Sequence, residues 1–510
     1  HVDHEYGFNK YYRYSLLVWS FIITILGVWF LFRFLSFYFK EKLVFISLCL
    51  IIFGTNLFFH TCFHGQGFMS HNYLFCWYSA LLFCTHQWYH SRRTLFLIGI
   101  FLFLALIVLC RNSEVFCFLI PLLYNVNSRS EFVNRIRVNF REIVLLLEAA
   151  IPGILLLAVQ LVYWKIVTGH FIYNGYQNNP GEALELSQPY FVEVLLSFRK
   201  GFLIYTPIGL FFIIGMYFLM KYFTTWRWSI SLFSIINFWI IASWSCWWYS
   251  ESFGQRAMIP MYAIWALGFS AFLQWISSLR IWYKLFFIAF LLAFTLLNLL
   301  QTWQVEKSIL PPNWVSTEFY VSIFGQTSPL KPAQSELLLP KDDPGFKTEL
   351  PEYFRNKLVH EFSCKLPKLD PNKLVQDSSL NSTALNKEIA YSEAIEIPNV
   401  YLNNEDYKWI YINASLSSSI DTNGLPVSLV IQMENKGKVY RWGSNNSEPV
   451  KWKKDSIIVL EGWYMVPKIK RKTDRLKAYV WSRSDVPVIL HALNVELFRP
   501  KQRQRIFLWK

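Results

Sequence analysis

Long apolar runs bounded by short polar loops fill the first three hundred or so residues of the chain, and they stop near Trp303. Crossing about 30 Å of hydrocarbon at about 1.5 Å per residue takes about twenty residues of helix. Runs near that length lie at 15–32, 43–59, 72–88, 95–110, 143–164, 202–220, 230–244, 257–277 and 285–300, with a shorter one at 115–124. The pattern predicts about ten membrane-crossing helices within 1–303, the shorter run forming a short or tilted span.

The period changes after residue 408. Stretches 409–416, 428–434, 438–443, 456–463, 476–482 and 488–498 alternate apolar and polar residues, and turn sequences such as Asn435-Lys436-Gly437 separate them. That alternation predicts short strands and an antiparallel β-sandwich, jelly-roll-like, over 409–510. Trp442, Trp452 and Trp481 read either as core aromatics or as exposed platforms for sugar rings. Between the two regions, 304–408 is rich in Pro, Lys and Asp and reads as an irregular extracytoplasmic connector. The expected fold is a polytopic α-helical membrane protein with a C-terminal antiparallel β-sandwich domain.

The hydrophobic fraction of 54% therefore averages two unlike halves. The formal charge of +15 could suggest nucleic acid, but in the first half Lys and Arg sit in short loops. Lys40/Lys42, Arg92/Arg93, Arg129/Arg135/Arg137/Arg141, Lys221/Arg227 and Arg280/Lys284 fall on one side of a strict alternation, provided that 115–124 crosses. Positive loops of this kind mark the cytoplasmic face and contact with anionic lipid, so membrane lipids and not nucleic acid are the expected partners. The other face receives the start of the chain and everything after Trp303, which places the soluble domain outside the cytoplasm.

Of the eight cysteines, Cys49, Cys76, Cys84, Cys110 and Cys117 lie in apolar runs, and no CxxC occurs. Cys364 stands alone in the soluble region, which must rely on a packed core. The chain opens on His1 with no signal sequence, so native sequence is expected upstream, with an odd number of further spans if the native N-terminus is cytoplasmic.

Polar residues gather on the outer side of the alternation, where ionisable groups at membrane depth are functional candidates. His60, His64 and Met69-Ser70-His71 precede one span and read as hydrogen-bonding or anion-contacting groups in preference to a metal site. Arg111-Asn112-Ser113-Glu114 interrupts two apolar runs; Arg111 is either a phosphate ligand or a structural partner of Glu114. Arg199-Lys200-Gly201 precedes Tyr205-Thr206-Pro207, and its charges either bind an anion or snorkel to headgroups. The densest group runs from Trp247 through Tyr249, Glu251 and Gln255 to Arg256 and combines an aromatic platform with a carboxylate and an arginine.

Taken in order, Gly54-Thr55-Asn56, Met69-Ser70-His71, Arg111, Tyr173-Asn174-Gly175, Phe198-Arg199-Lys200-Gly201, Tyr205-Thr206-Pro207 and Ser252-Phe253-Gly254-Gln255-Arg256 leading to Pro260 resemble the GT-C superfamily of membrane glycosyltransferases. The likeness is to bacterial relatives of the protein O-mannosyltransferases and of the lipid A aminoarabinose transferase, and it covers most of residues 10–300. It implies an inner-membrane enzyme that takes a sugar from a polyprenyl-phosphate carrier and passes it to a hydroxyl of a protein, lipid or glycan, with the lipid-linked sugar as donor and no further cofactor. A carboxylate would remove the acceptor proton while cations stabilise the departing phosphate. The resemblance assigns the phosphate to Arg256, Arg111, Arg199 and Lys200, and the substrate pocket to His71, Ser70, Tyr205, Tyr249, Glu251 and Gln255. The family's catalytic carboxylate lies in the first outer loop, of which this chain holds only the far end, so Asp3 and Glu5 are its acidic candidates here. The family's arginine corner is often followed by Pro, whereas Asn112 stands here.

A non-catalytic membrane scaffold of GT-C fold, whose periplasmic domain binds an envelope protein, is the alternative. A transporter would predict internal repeats in matching halves, and the sequence carries none.

Overall fold

The computed structural model describes residues 10–62, 69–137, 140–173, 184–187, 189–249, 251–335, 337–338, 347, 349–350, 355, 358–366, 384–402, 408–435, 437–446, 451–466, 469 and 473–500. They form two compact units, a helical one that ends at Leu338 and a β unit that follows.

The helical unit runs through α1 (Lys10–Leu35), α2 (Glu41–Phe53), α3 (Leu57–Cys62), α4 (Ser70–Ser91), α5 (Thr94–Cys110), α6 (Leu119–Leu122), α7 (Arg129–Ile136) and α8 (Phe140–Thr168). It continues with α9 (Phe191–Leu196), α10 (Phe202–Tyr205), α11 (Gly209–Tyr222), α12 (Arg227–Ala242), α13 (Ile259–Ser278), α14 (Ile281–Glu306), α15 (Thr317–Ile323) and α16 (Pro332–Ser335). Among the described residues four helical stretches are long and apolar enough to cross a membrane: Tyr14–Leu35, Glu142–Thr168, Arg256–Ser278 and Ile281–Glu306. Thr94–Cys110, Asn112–Leu122, Gly209–Tyr222 and Arg227–Ala242 are apolar but shorter.

Several expected spans are shorter because the chain breaks inside them. The run 43–59 stops at Gly54, where a Cβ would lie 2.5 Å from the Leu50 oxygen and 2.9 Å from Ile208 Cδ1. The run 202–220 is divided between α10 and α11 at Pro207, which has no N–H to continue the ladder. The run 115–124 starts inside a 3₁₀ turn, Asn112–Phe118, entered from an extended Arg111. Each break leaves backbone groups and polar side chains at one end of the unit.

The opposite end is where expected positive loops meet. Arg92 and Arg135 both lie over the Tyr89 ring, at 5.5 and 4.5 Å. Arg227 Nε donates to Asn127 Oδ1 (2.8 Å). Tyr89 is near the C-terminal end of α4, whereas Asn72 at its start donates to the His60 carbonyl (2.9 Å). The two sets of loops therefore sit a helix length apart, about 30 Å for twenty residues.

Helix α13 is the buried axis of the unit, apolar and enclosed on nearly all sides. It crosses α11 through glycine on glycine: a Cβ on Gly268 would lie 2.5 Å from the Gly215 oxygen, and one on Gly215 would lie 2.8 Å from the Gly268 carbonyl carbon. Small residues let apolar helices approach where lipid supplies no hydrophobic drive. Gly268→Val is expected to destabilise the unit by about 1–3 kcal/mol through overpacking. A lowered unfolding temperature in detergent checks this, and an unchanged one would show that the helices part at no cost.

The β unit holds β1 (Leu358–Lys365), β2 (Ala384–Leu385), β3 (Ile395–Ile397), β4 (Trp409–Ser418), β5 (Thr422–Asn423), β6 (Val427–Asn435), β7 (Lys438–Asn446), β8 (Lys451–Trp452), β9 (Ile458–Met465), β10 (Asp474–Ser482) and β11 (Val488–Pro500). One sheet has the order β1-β11-β4-β9, with β2 beside β11, a second the order β3-β10-β6-β7, and β5 and β8 form a small two-stranded sheet. All pairs in the two larger sheets are antiparallel. The chain changes sheet at nearly every step, as in a jelly roll. Ile410, Ile412, Ala414 and Leu416 of β4 and Val495 and Leu497 of β11 share a core with Leu429, Ile431 and Met433 of β6 and Leu476, Ala478 and Val480 of β10.

The segment read as an irregular connector is structured in part. It completes α14, forms α15 and α16, and supplies β1, β2 and β3. β1 escaped the alternation test because it is an edge strand with a register shift between His360 and Phe362. Trp452, one of the candidate exposed platforms, is only 2% exposed and belongs to the core.

Candidate functional site

The site is built around the loop that precedes α13. Gly254 holds φ +59°, and a Cβ there would meet the Tyr205 Cβ at 2.9 Å, so only glycine fits. Asn56, freed by the break after α2, donates through Nδ2 to the Phe253 carbonyl (3.1 Å) and accepts from the Tyr262 hydroxyl (2.6 Å). His60 Nε2 lies 3.1 Å from the same Phe253 oxygen. Gln255 Nε2 donates to the Trp247 carbonyl (2.9 Å), and its Oε1 is buried with no hydrogen-bond partner among the described residues. Residues from two distant parts of the sequence thus fix the loop that ends in Arg256.

Arg256 is the hub of a cationic cluster. Its Nη1 is 3.2 Å from Met69 Sδ, just before α4. Its charge acts on His71, on Lys200 and on Tyr249. Arg111 also acts on His71 and donates through Nη2 to the Tyr249 hydroxyl (3.2 Å). Lys200, 1% exposed, donates to the Ser252 hydroxyl (3.1 Å) and closely to the Ser252 carbonyl. Burial first, and then the Arg256 and Arg199 charges, hold its amine well below the usual lysine range. Burial pushes the Tyr249 phenol up to about 12 despite Arg111 beside it.

Arg111 is oriented from behind by Glu114, 3.7 Å from its Nη1. Glu114 is buried and accepts from the Tyr78 hydroxyl (2.6 Å) and from Asn237 Nδ2. The pairing with Glu114 is present, through Nη1, while Nη2 faces Tyr249. Arg199 is held differently. Its guanidinium lies between Trp248 (3.9 Å) and Trp314 (4.5 Å), and Nε donates to Asn313 Oδ1 (3.3 Å). Cation–π contact of this kind ties three loops together.

Of the residues the sequence put forward, His71, Lys200 and Tyr249 lie within electrostatic reach of Arg256, Arg111 reaches His71 and Tyr249, and Arg199 reaches Lys200, while Gln255 is turned to the Trp247 carbonyl. Ser70 is half-buried at the start of α4, and Glu251 is exposed within electrostatic reach of Lys200. Tyr205 packs against the Phe253–Gly254 stretch of the loop. Its ring meets Phe253 and Tyr320 edge-on, and its hydroxyl donates to the Phe198 carbonyl, so its role is to seat the Gly254 loop. Asp3, Glu5, His64, Asn174 and Gly175 lie outside the described residues. Tyr78, Asn237, Asn313 and Trp314 were not put forward from the sequence. Among the described residues no three His, Cys, Asp or Glu side chains come together to hold a metal ion.

No protein-family model matches the chain, and no curated protein matches it.

Proposed function

We propose that the protein is a multi-pass enzyme of a bacterial inner membrane that transfers a sugar from a polyprenyl-phosphate carrier to a hydroxyl of a protein, lipid or glycan at the outer face. In this reading its fold is of the GT-C kind and its β unit is periplasmic. The observation that carries the proposal is the convergence of Arg256, Arg111 and Lys200 with His71 at one end of a unit made of apolar helices. Lys200 is buried, Arg111 and Arg256 are half-buried, and positive charge gathered at such depth favours an anion. A phosphate tethered to an apolar tail brings an anion to membrane depth. The lipid phosphate leaves as charge develops on its bridging oxygen, and fixed cations stabilise that charge. Arg256 and Arg111 hold the phosphate, Lys200 adds charge from the side, and His71, Gln255 and Tyr249 line the sugar or acceptor pocket.

The test uses the full-length protein in nanodiscs with a radiolabelled polyprenyl-phosphate-linked sugar and membrane extract as acceptor. Arg256→Ala is expected to lower transfer about 10- to 100-fold, the worth of a charge-assisted hydrogen bond, with the unfolding temperature retained. Unchanged transfer removes Arg256 from the mechanism. Failure of the unaltered protein to bind or use any lipid-linked sugar rejects the reading.

A further inference from the structure

The outer face of the sheet β3-β10-β6-β7 carries a line of aromatic side chains. Along β10, Leu476, Ala478 and Val480 enter the core, so Arg475, Lys477, Tyr479 and Trp481 point the other way. The register sets Trp481 against Ser428, Tyr479 against Val430 and Lys477 against Gln432, and Gln432 in turn against Trp442. Tyr391 bridges to Trp481 on the far side of β10. With strands about 4.8 Å apart and residues about 3.4 Å along each, Tyr391, Tyr479 and Trp442 fall on one diagonal about 20 Å long.

The ends of the diagonal are open. Tyr391 is 58% exposed and Trp442 is 42% exposed. Tyr391 is nonetheless fixed: it stacks on Trp481 at 6.0 Å and 15°, and the Arg483 guanidinium lies 4.8 Å from the Trp481 ring. Between the ends runs a polar chain. The Tyr479 hydroxyl donates to Gln432 Oε1 (2.8 Å), and Gln432 Nε2 donates to Glu434 Oε2 (3.2 Å). Two of the cations on this face are matched by carboxylates, Lys477 by Glu434 (2.6 Å) and Arg475 by Glu396 (3.4 Å), and Arg483, over Trp481, donates to the Ser428 hydroxyl (3.3 Å).

These features select a ligand. Paired charges offer little to a phosphate or a polyanion. What the face presents is exposed π-surface at two ends, the Tyr391 end stacked in place, and amide and hydroxyl groups between them, which complements an uncharged chain that has both C–H faces and hydroxyls. We propose that this face binds a neutral oligosaccharide along the diagonal, with pyranose rings stacked on Tyr391 and Trp442 and hydroxyls bonded to Gln432 and Tyr479. The site belongs to the β unit alone and does not depend on the transfer reaction. A peptide adding a strand would instead pair with the backbone of edge strand β7 and would not use Tyr391.

The experiment is saturation-transfer NMR, with fluorescence titration, of the full-length protein in nanodiscs against neutral hexasaccharides and disaccharides of glucose, mannose and N-acetylglucosamine. At least one hexasaccharide is expected to bind, more tightly than its disaccharide because only the longer chain reaches both ends. Tyr391→Ala and Trp442→Ala are each expected to weaken it about tenfold, with an unchanged unfolding temperature because both rings are at the surface. The proposal is overturned if no neutral hexasaccharide binds the unaltered protein. It is equally overturned if the double variant binds as well as the unaltered protein, or if the face captures a peptide with no dependence on Tyr391.

Discussion

Replacing Glu114 by alanine is expected to lower the stability of the helical unit by about 3–5 kcal/mol, the cost of leaving a buried charge without its counter-charge. The carboxylate is buried and carries three interactions: the Tyr78 hydroxyl, the Asn237 amide and the Arg111 guanidinium. Its loss leaves a phenol and an amide short of an acceptor and Arg111 short of its carboxylate. Glu114→Gln keeps the volume and one acceptor oxygen but removes the charge, so it is expected to cost less than alanine yet more than a surface change. Thermal unfolding followed by intrinsic fluorescence separates the cases. If alanine and glutamine shift the midpoint equally, charge is the main loss; if glutamine is silent, the ion pair contributes nothing and Glu114 serves only as an acceptor.

The same network shows how far the sequence is legible. Hydropathy reads the helices well because each must satisfy its own backbone and bury apolar side chains, and the runs 72–88, 95–110 and 143–164 fall inside α4, α5 and α8. It reads their breaks poorly. Gly54 and Pro207 sit inside runs whose average hydropathy stays high, although each residue carries its own local signal. Arg111 and Glu114 are three apart and their pairing could be anticipated, but Tyr78 and Asn237 reach Glu114 from α4 and α12. A polar residue inside an apolar run was the available clue.

Arg199 and Lys200 look alike in the sequence and differ in the fold. One is clamped between two tryptophans, Trp248 and Trp314, that lie far from it and from each other in the chain; the other turns inward to Ser252. Adjacent residues of one charge take opposite directions because the turn at 198–200 directs their side chains apart, which no count of charges reveals. In the β unit the alternation identified the strands with two-sided contrast. Trp452 was ambiguous because a half-buried strand favours aromatics on either face.

Binding of an anion at the cluster is expected to bring a proton onto Lys200. Burial and the neighbouring Arg256 and Arg199 charges lower its amine below the ordinary 10.5, with Glu251 pulling weakly the other way. Between the folded value and 10.5 the unfolded chain holds this proton and the folded chain does not, so stability rises with pH across that window. A phosphate beside Lys200 favours the ammonium and raises the value again. Binding then takes up as much as about one proton per anion, and affinity falls as pH rises through the window. Calorimetry of a polyprenyl phosphodiester in nanodiscs, repeated in buffers of different ionisation enthalpy, reads this uptake directly, since the phosphodiester itself does not titrate there. Lys200→Met is expected to abolish the uptake and to weaken binding by about 2–5 kcal/mol, as when one side of a buried charge pair is truncated. His71→Gln, which removes another titratable group that Arg256 acts on, is expected to leave the uptake in place. Uptake that persists in Lys200→Met and disappears in His71→Gln would move the proton to the imidazole and leave Lys200 as an anchor for the Ser252 loop.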